Sequence, residues 1–153
     1  MTGFEEGFDF SGFLRRQKQI TGLYEAMSAA AAAECGIGKP EADVLLFLAN
    51  NPGYDTAADA AVYRGFSKAY VSKAVERLVA AGLVSAATDP ADRRFQRLKV
   101  TEAAAPKLEI LRRMQARYLR TLREGIPQEA LEQYLSVTEC FAENAARAVG
   151  GMG

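Results

Sequence analysis

Residues 67–84 read SKAYVSKAVERLVAAGLV, and this stretch decides the fold. Ser67 is an N-cap candidate, because its short hydroxyl side chain can accept a hydrogen bond from a backbone N–H of the first helical turn. From Lys68 onward the apolar side chains recur at helical spacing, at Val71, Val75, Leu78 and Val79. Gly82 then supplies a C-terminal stop. The stretch therefore predicts a short helix with one apolar face.

A second short helix is predicted directly before this one. Thr56 is followed three residues later by Asp59, which is an acidic variant of the capping box. About two helical turns run to Tyr63, and Gly65 breaks them. Two short helices joined by a tight turn that contains glycine indicate a helix-turn-helix.

A β-hairpin is predicted after Gly82. Residues 83–88 are small and partly β-branched, and the next four, DPAD, favour a turn. Residues 95–100 alternate, with Gln96, Leu98 and Val100 on one face and Phe95, Arg97 and Lys99 on the other. The tip of this hairpin would carry Asp92, Arg93 and Arg94.

Long helices are predicted on both sides of this element. Residues 10–34 carry apolar side chains at spacings of three and four, and a helix beginning near Pro40 carries Val44, Leu45, Phe47 and Leu48. Two more helices are predicted over 102–123 and from Pro127 onward. We therefore expect a mainly α fold with a small β-hairpin wing, in a single domain over residues 1–153.

The composition excludes several classes of function. The chain of 153 residues contains no histidine and no tryptophan. A histidine-based catalytic triad and a histidine-ligated zinc or haem are therefore impossible. The two cysteines, Cys35 and Cys140, are too few for a four-ligand zinc site or a disulfide framework. We expect no catalytic residues, no metal site, no cofactor and no enzymatic activity.

The charge distribution is strongly uneven although the net charge is zero, with 19 basic and 19 acidic residues. Residues 64–99 hold eight basic and three acidic side chains, a net charge of plus five. Residues before 64 hold four basic and nine acidic ones, a net charge of minus five. A basic centre suits DNA binding, since neutralisation of phosphates dominates affinity for DNA.

The basic side chains fall at two protrusions. Lys68 and Lys73 lie off the apolar face of the second short helix, whose N-terminal half is the part that enters a major groove in a helix-turn-helix. Tyr70 and Ser72 can donate hydrogen bonds to phosphates or base edges. Two arginines at the hairpin tip suit a narrow minor groove. Alternatively, a tip arginine pairs with a nearby aspartate and shapes the turn.

The order of these motifs resembles the MarR family of winged helix-turn-helix regulators. Residues 67–84 are followed by DPADRR at 89–94 and by LKVTE at 98–102. The resemblance implies DNA contacts from the helix and the wing tip, with Asp92 bracing the wing. It departs at Ala104, where the family usually has glycine. The implied DNA-binding residues are Ser67, Lys68, Ala69, Tyr70, Ser72, Lys73, Arg77, Arg93 and Arg94.

The same resemblance implies partners. Residues 10–35 and 102–149 would form dimerisation helices around a DNA-binding element at 40–101, and the homodimer would bind an inverted repeat in double-stranded DNA. A repressor released by a small lipophilic or aromatic effector is implied. Aromatic residues at helical spacing are also ordinary core residues. The candidate effector-pocket residues are Phe13, Tyr24, Met27, Phe47 and Tyr118.

Two alternative functions stay open. One is a thiol-based redox-sensing regulator that uses Cys35 or Cys140, although the thiol-sensing branch of the family has its cysteine near the start of the first helix. Cys140 lies in an apolar pattern and is expected to be a buried, inert thiol. The other is a winged-helix module that binds proteins and not DNA. No run approaches the roughly 20 apolar residues of a membrane span, so we expect a cytoplasmic protein without a membrane partner.

Overall fold

The computed structural model describes residues 3–152 and contains two compact units, one ending at Tyr118 and the other beginning at Leu119. The predicted mainly α fold with a hairpin wing is confirmed. The helices are α1 (Phe10–Cys35), α2 (Lys39–Asn50), α3 (Ala57–Arg64), α4 (Lys68–Ala80), α5 (Ala105–Arg123) and α6 (Gln128–Met152). The strands are β1 (Val84–Thr88) and β2 (Gln96–Val100), and a 3-10 turn, Glu102–Ala104, precedes α5.

Helix α2 is the centre of the first unit. Every side chain from residue 41 to residue 48 is buried, because α1, α3, α4 and β2 all pack against this helix. A helix that is apolar on all sides has to lie in the interior of a soluble protein. Two acidic side chains, Glu41 and Asp43, are buried together with the apolar ones.

Helix α4 packs on α2 through small and branched apolar side chains. Val71, Ala74 and Leu78 are each at most 1% exposed. Val79, predicted to lie on the same face, is 40% exposed. At 3.6 residues per turn it lies about 80° around the helix from Val71, at the edge of the buried stripe.

The predicted helix ends of the helix-turn-helix are confirmed. The Thr56 hydroxyl accepts from the Asp59 N–H at 3.1 Å, and the Asp59 carboxylate accepts from the Thr56 N–H at 3.1 Å. Ser67 accepts from the Tyr70 N–H at 3.1 Å. Gly82 has φ +73°, and the Leu83 N–H donates to the Leu78 carbonyl at 2.9 Å, which closes α4 in a Schellman motif.

The wing is a two-stranded antiparallel hairpin. Val84 pairs with Val100 and Thr88 with Gln96, so each strand is one residue shorter than predicted. The Leu98 side chain is buried, and its N–H donates to the carbonyl of Asp55, in the loop before α3, at 2.8 Å. The root of the wing is therefore fixed to the helix-turn-helix by both apolar packing and a backbone hydrogen bond.

The residue after the wing where the MarR resemblance departs is part of the core. Ala104 is fully buried, as is Leu111 on α5, and Leu108 and Met114 are nearly so. The Ala104 methyl group thus lies within the apolar core, and the departure from glycine is accommodated by packing.

Helix α6, in the second unit, has no buried residue. Its exposed large apolar side chains are Tyr134, Leu135, Val137, Phe141, Val149 and Met152. Cys140 is exposed as well, so the expectation of a buried thiol at this position is wrong for the single chain. The apolar pattern around Cys140 marks a helix face, and a face is buried only where another element covers it.

Burial of α4 can be tested with a matched pair of valines. Val71 on α4 is 1% exposed and Val62 on α3 is 81% exposed. We expect Val71→Ala to lower the free energy of unfolding by about 2 kcal/mol, because two buried methyl groups are lost. Val62→Ala should change it by less than about 0.5 kcal/mol. Chemical denaturation of both variants measures the difference, and equal effects would contradict the packing of α4.

Candidate nucleic-acid interface

The N-terminal half of α4 presents a polar surface. Most of the predicted DNA-contacting residues on this helix are exposed: Ser67, Lys68, Ala69, Ser72, Lys73 and Arg77. Their exposure follows from the burial of Val71 and Ala74 on the opposite face. The helix therefore offers two lysines and two hydroxyl groups to solvent within its first two turns.

Tyr70 differs from the other predicted contacts. It is half-buried, and its hydroxyl donates to the Asp43 Oδ2 at 2.7 Å. Its ring packs against Phe66, with 4.8 Å between the centroids. Burial, with the hydrogen bond to Asp43 as a second cause, raises the pKa of the Tyr70 phenol well above its usual range. The hydroxyl proton is therefore directed into the fold and not toward solvent.

Arg77, at the other end of α4, also has an internal partner. Its Nη1 lies 3.4 Å from the Glu41 Oε1 on α2. The Glu41 side chain is 8% exposed and that of Arg77 is 65% exposed. The guanidinium therefore lies across the edge of the buried carboxylate while much of the side chain stays in solvent.

At the wing tip, Asp92 forms a bidentate salt bridge with Arg94. The two carboxylate oxygens of Asp92 accept from the Arg94 Nε at 3.0 Å and Nη2 at 2.7 Å, and the Arg94 N–H also donates to Asp92. These hydrogen bonds lower the pKa of the Asp92 carboxyl. Arg93 is exposed beside the pair. The tip thus holds one arginine in a fixed fork geometry next to an arginine in solvent.

A second arginine fixes the side of the wing. Arg97 donates from Nη1 to the Asp55 Oδ1 at 2.7 Å and from Nε to the Asp89 Oδ2 at 2.9 Å. Asp89 also accepts from the Ala91 N–H at 2.8 Å. That backbone hydrogen bond first, and Arg97 second, lower the pKa of Asp89. Sequence reasoning missed this bridge, because no spacing signal connects Asp55 with a strand residue 42 positions later.

Three of the five candidate effector-pocket residues, Tyr24, Met27 and Phe47, belong to the apolar core or pack against it. The rings of Tyr24 and Tyr118 meet edge to face at 5.1 Å, and Gln115 donates to the Tyr24 hydroxyl at 3.0 Å. Phe47 is buried and contacts Tyr63, Phe13 contacts Phe8, and Met27 packs against the core. Of the five, the structure brings only Tyr24 and Tyr118 into ring contact. The effector site stays a prediction.

The two cysteines lie in different environments. Cys35 is buried at the end of α1, and its Sγ lies 3.6 Å from the Lys107 carbonyl. Burial raises the pKa of the Cys35 thiol, with Glu34 also raising it and Lys107 opposing the shift. A raised pKa lowers the thiolate fraction at neutral pH, which disfavours the redox alternative for Cys35.

The described part of the chain offers neither a metal-binding cluster nor a membrane-spanning helix. Between residues 3 and 152, no group of three or more cysteine, aspartate or glutamate side chains is placed to hold a metal ion. Over the same residues, no helix has the length and apolar character needed to cross a membrane.

Comparisons with known proteins agree with this architecture. Residues 36–94 match the model of the MarR family. A MarR protein from Peptoclostridium difficile has a TM-score of 0.78 at 18% identity, over 93% of this chain and 92% of that one. A MarR transcriptional regulator from Methanosarcina mazei has a TM-score of 0.71 at 20% identity, over 86% and 96% of the two chains. No curated protein matched.

A third solved structure extends the likeness. A MarR-family transcriptional regulator from Silicibacter pomeroyi has a TM-score of 0.73 at 20% identity, over 88% of this chain and 89% of that one. The resemblance to the MarR family is therefore confirmed. Residues 36–94 match the family model, and the overall fold is that of the solved MarR-family structures.

The stability of the wing tip should depend on pH. The pKa values of Asp89 and Asp92 are lowered in the folded hairpin. The hydrogen bonds of the two carboxylates therefore stabilise the hairpin fully at pH values above the ordinary aspartate pKa, which is about 4. This stabilisation is lost as the pH falls through the lowered pKa values. We expect the amide resonances of Ala91 and Arg94 to stay constant from about pH 7 to 5 and to shift below about pH 4.

The control for this titration is Asp92→Asn. This substitution removes the acid response of the Arg94 amide and leaves that of Ala91, since Ala91 donates to Asp89. Amide shifts with midpoints at or above the ordinary aspartate range would contradict the bracing of the tip.

Proposed function

We propose that this protein is a DNA-binding transcriptional regulator of the MarR type that acts as a homodimer. The observation that carries the proposal is the pairing of an exposed, lysine-bearing recognition helix with a braced arginine wing in one unit. Lys68 and Lys73 on α4 supply charge for phosphates. Ser67 and Ser72 supply hydroxyl groups that can bond to phosphates or base edges.

The wing supplies the second half of the interface. Arg94 is held by Asp92 with its side chain 84% exposed, so it keeps a fixed direction at the tip while remaining accessible. Arg93 adds a second positive charge at the same turn. Arginines on a narrow protrusion suit the minor groove, where the negative potential is enhanced. The recognition helix and the wing would then occupy a major groove and the adjoining minor groove.

The proposal of a homodimer is supported by α6. A soluble monomer rarely leaves a long run of large apolar side chains in water, yet α6 exposes Tyr134, Leu135, Phe141 and Val149. A second copy of the chain would cover this face. Two recognition helices related by a two-fold axis would address an inverted repeat, with half-sites about one helical turn apart.

Repression and release by a small lipophilic or aromatic effector complete the proposal. The contact of Tyr24 on α1 with Tyr118 on α5 is the feature that supports it, since two half-buried rings with polar edges suit an aromatic ligand. We expect the ligand to compete with this ring contact.

DNA binding can be tested by mobility shift on the DNA upstream of the coding sequence. Lys73→Ala combined with Arg93→Ala should weaken binding roughly 100-fold at moderate salt, because phosphate contacts are lost in both protomers. The slope of log affinity against log salt should fall by roughly four in magnitude, about one per lost cation.

The matched control is Lys18→Ala combined with Arg113→Ala, which removes the same charges from exposed positions on α1 and α5. This variant should keep the wild-type affinity within about twofold. Equal losses in both variants, or wild-type binding that ignores salt, would overturn the assignment of the interface. No DNA affinity in the wild type would leave the protein-interaction module as the function.

A further inference from the structure

We propose that Asp43 is a positioning residue that fixes the recognition helix, and that Tyr70 acts through Asp43 and not by contacting DNA with its hydroxyl. The inference rests on the proposed function, since it assigns the orientation of the helix that would enter the groove. Tyr70 is thereby assigned to the residues that hold α4 in place, and no longer to the residues that contact DNA.

The geometry is a chain of four polar side chains across three helices. The Asp43 Oδ2 on α2 accepts from the Tyr70 hydroxyl of α4 at 2.7 Å and from the Lys39 Nζ at 2.7 Å. Lys39 also pairs with the Glu25 Oε2 on α1 at 2.5 Å. Asp43 is 0% exposed, so this contact is an internal link and not a surface one.

Asp43 has few ways to compensate for its burial. A buried carboxylate loses several kcal/mol of hydration unless charged or hydrogen-bonding groups replace the water. Within residues 3–152, the Asp43 Oδ1 has no hydrogen-bond partner. All compensation therefore comes through Oδ2, from Tyr70 and Lys39. Removing either donor leaves a buried charge less well satisfied, so the fold strongly favours the one placement of Tyr70 that keeps this hydrogen bond.

The state of Lys39 agrees with this role. Burial lowers the pKa of Lys39, but the hydrogen bonds and charges of Asp43 and Glu25 outweigh that effect and raise it overall. Lys39 is therefore a cation at all physiological pH values. This series of side chains consequently alternates in charge from Glu25 to Lys39 to Asp43. It ends at the neutral phenol of Tyr70, which donates a hydrogen bond to Asp43.

A second contact secures the other end of the same helix. Glu41, two residues before Asp43, lies 3.4 Å from Arg77. Tyr70 and Arg77 are seven residues apart, about 10 Å along a helix. Two acidic side chains of α2 thus hold α4 near its beginning and near its end. Two separated contacts restrict rotation and tilt of a helix more than one contact does.

The polar contacts add what the apolar face of α4 cannot supply. Burial of Val71, Ala74 and Leu78 is non-directional, because the hydrophobic effect depends on area and little on angle. A hydrogen bond, in contrast, weakens steeply with misalignment. Readout of base edges tolerates only about 0.5 Å of misplacement. The Asp43–Tyr70 contact therefore supplies the angular restraint that an inserted helix needs.

The experiment is a double-mutant cycle with Tyr70→Phe and Asp43→Ala in the full-length protein, because alanine leaves no acceptor for the Tyr70 hydroxyl. Affinity for the upstream DNA and amide hydrogen exchange of residues 67–75 are both measured. Each single substitution should weaken DNA binding by roughly tenfold, which is the effect of one strong hydrogen bond. Each should also speed exchange in residues 67–75 more than in α5. The affinity of the double variant for DNA should be no lower than that of the single variant with the lower affinity.

The matched control is Tyr63→Phe, which removes a phenol oxygen from an exposed tyrosine on the neighbouring helix α3. It should leave both readouts unchanged. If Tyr70→Phe weakens binding equally in the wild-type and Asp43→Ala backgrounds, Tyr70 contacts DNA directly and the proposal is overturned. Unchanged exchange at residues 67–75 in Tyr70→Phe would overturn it as well.

The remaining outcomes are also decisive. If the wild type binds no DNA but both variants speed exchange at residues 67–75, the proposed function fails while the positioning role stands. Should Asp43→Ala not fold, Tyr70→Phe decides alone, since it deletes one oxygen from a half-buried side chain. Its exchange at residues 67–75 then supports the proposal if it is faster than in Tyr63→Phe, and overturns it if the two are equal.

Discussion

Burial of residues 41–48 of α2 determines how the other elements of the first unit pack. Residues 41–48 can be removed from water only if other elements cover every side of the helix, and α1, α3, α4 and β2 do so. Each covering element must turn an apolar face inward, so its polar face points to solvent. The exposed polar surface of α4 is therefore a consequence of how α2 is buried.

The same constraint explains why acidic residues of α2 matter for a basic interface. Asp43 and Glu41 are almost fully removed from water, so they take partners from α2 itself and from α4, which covers it. Those partners are Lys39, Tyr70 and Arg77. The wing follows a comparable rule at the surface, where aspartates set the direction of arginines. In α4 and in the wing, an acidic residue thus fixes a side chain that lies next to exposed basic residues.

The sequence predicted the elements well, because local signals specify them: the Thr56–Asp59 capping box, the Ser67 cap and the Gly82 stop all hold in the structure. Contacts between distant residues were not predictable from spacing, as with Arg97 and Asp55. One overlooked signal was available, since a lone aspartate at position 43 in an apolar helix implies a buried partner. Cys140 was misjudged because an apolar pattern does not say what covers it.

We propose that the exposed half of α4 and the wing tip together form one DNA-binding surface. Amide hydrogen exchange of the wild-type protein, with and without a duplex of the upstream DNA, tests it most directly. We expect slower exchange on DNA binding at residues 67–73 and 92–94, and little change at residues 20–30 of α1. Protection confined to α1 or α5, with residues 67–73 unchanged by bound DNA, would contradict it.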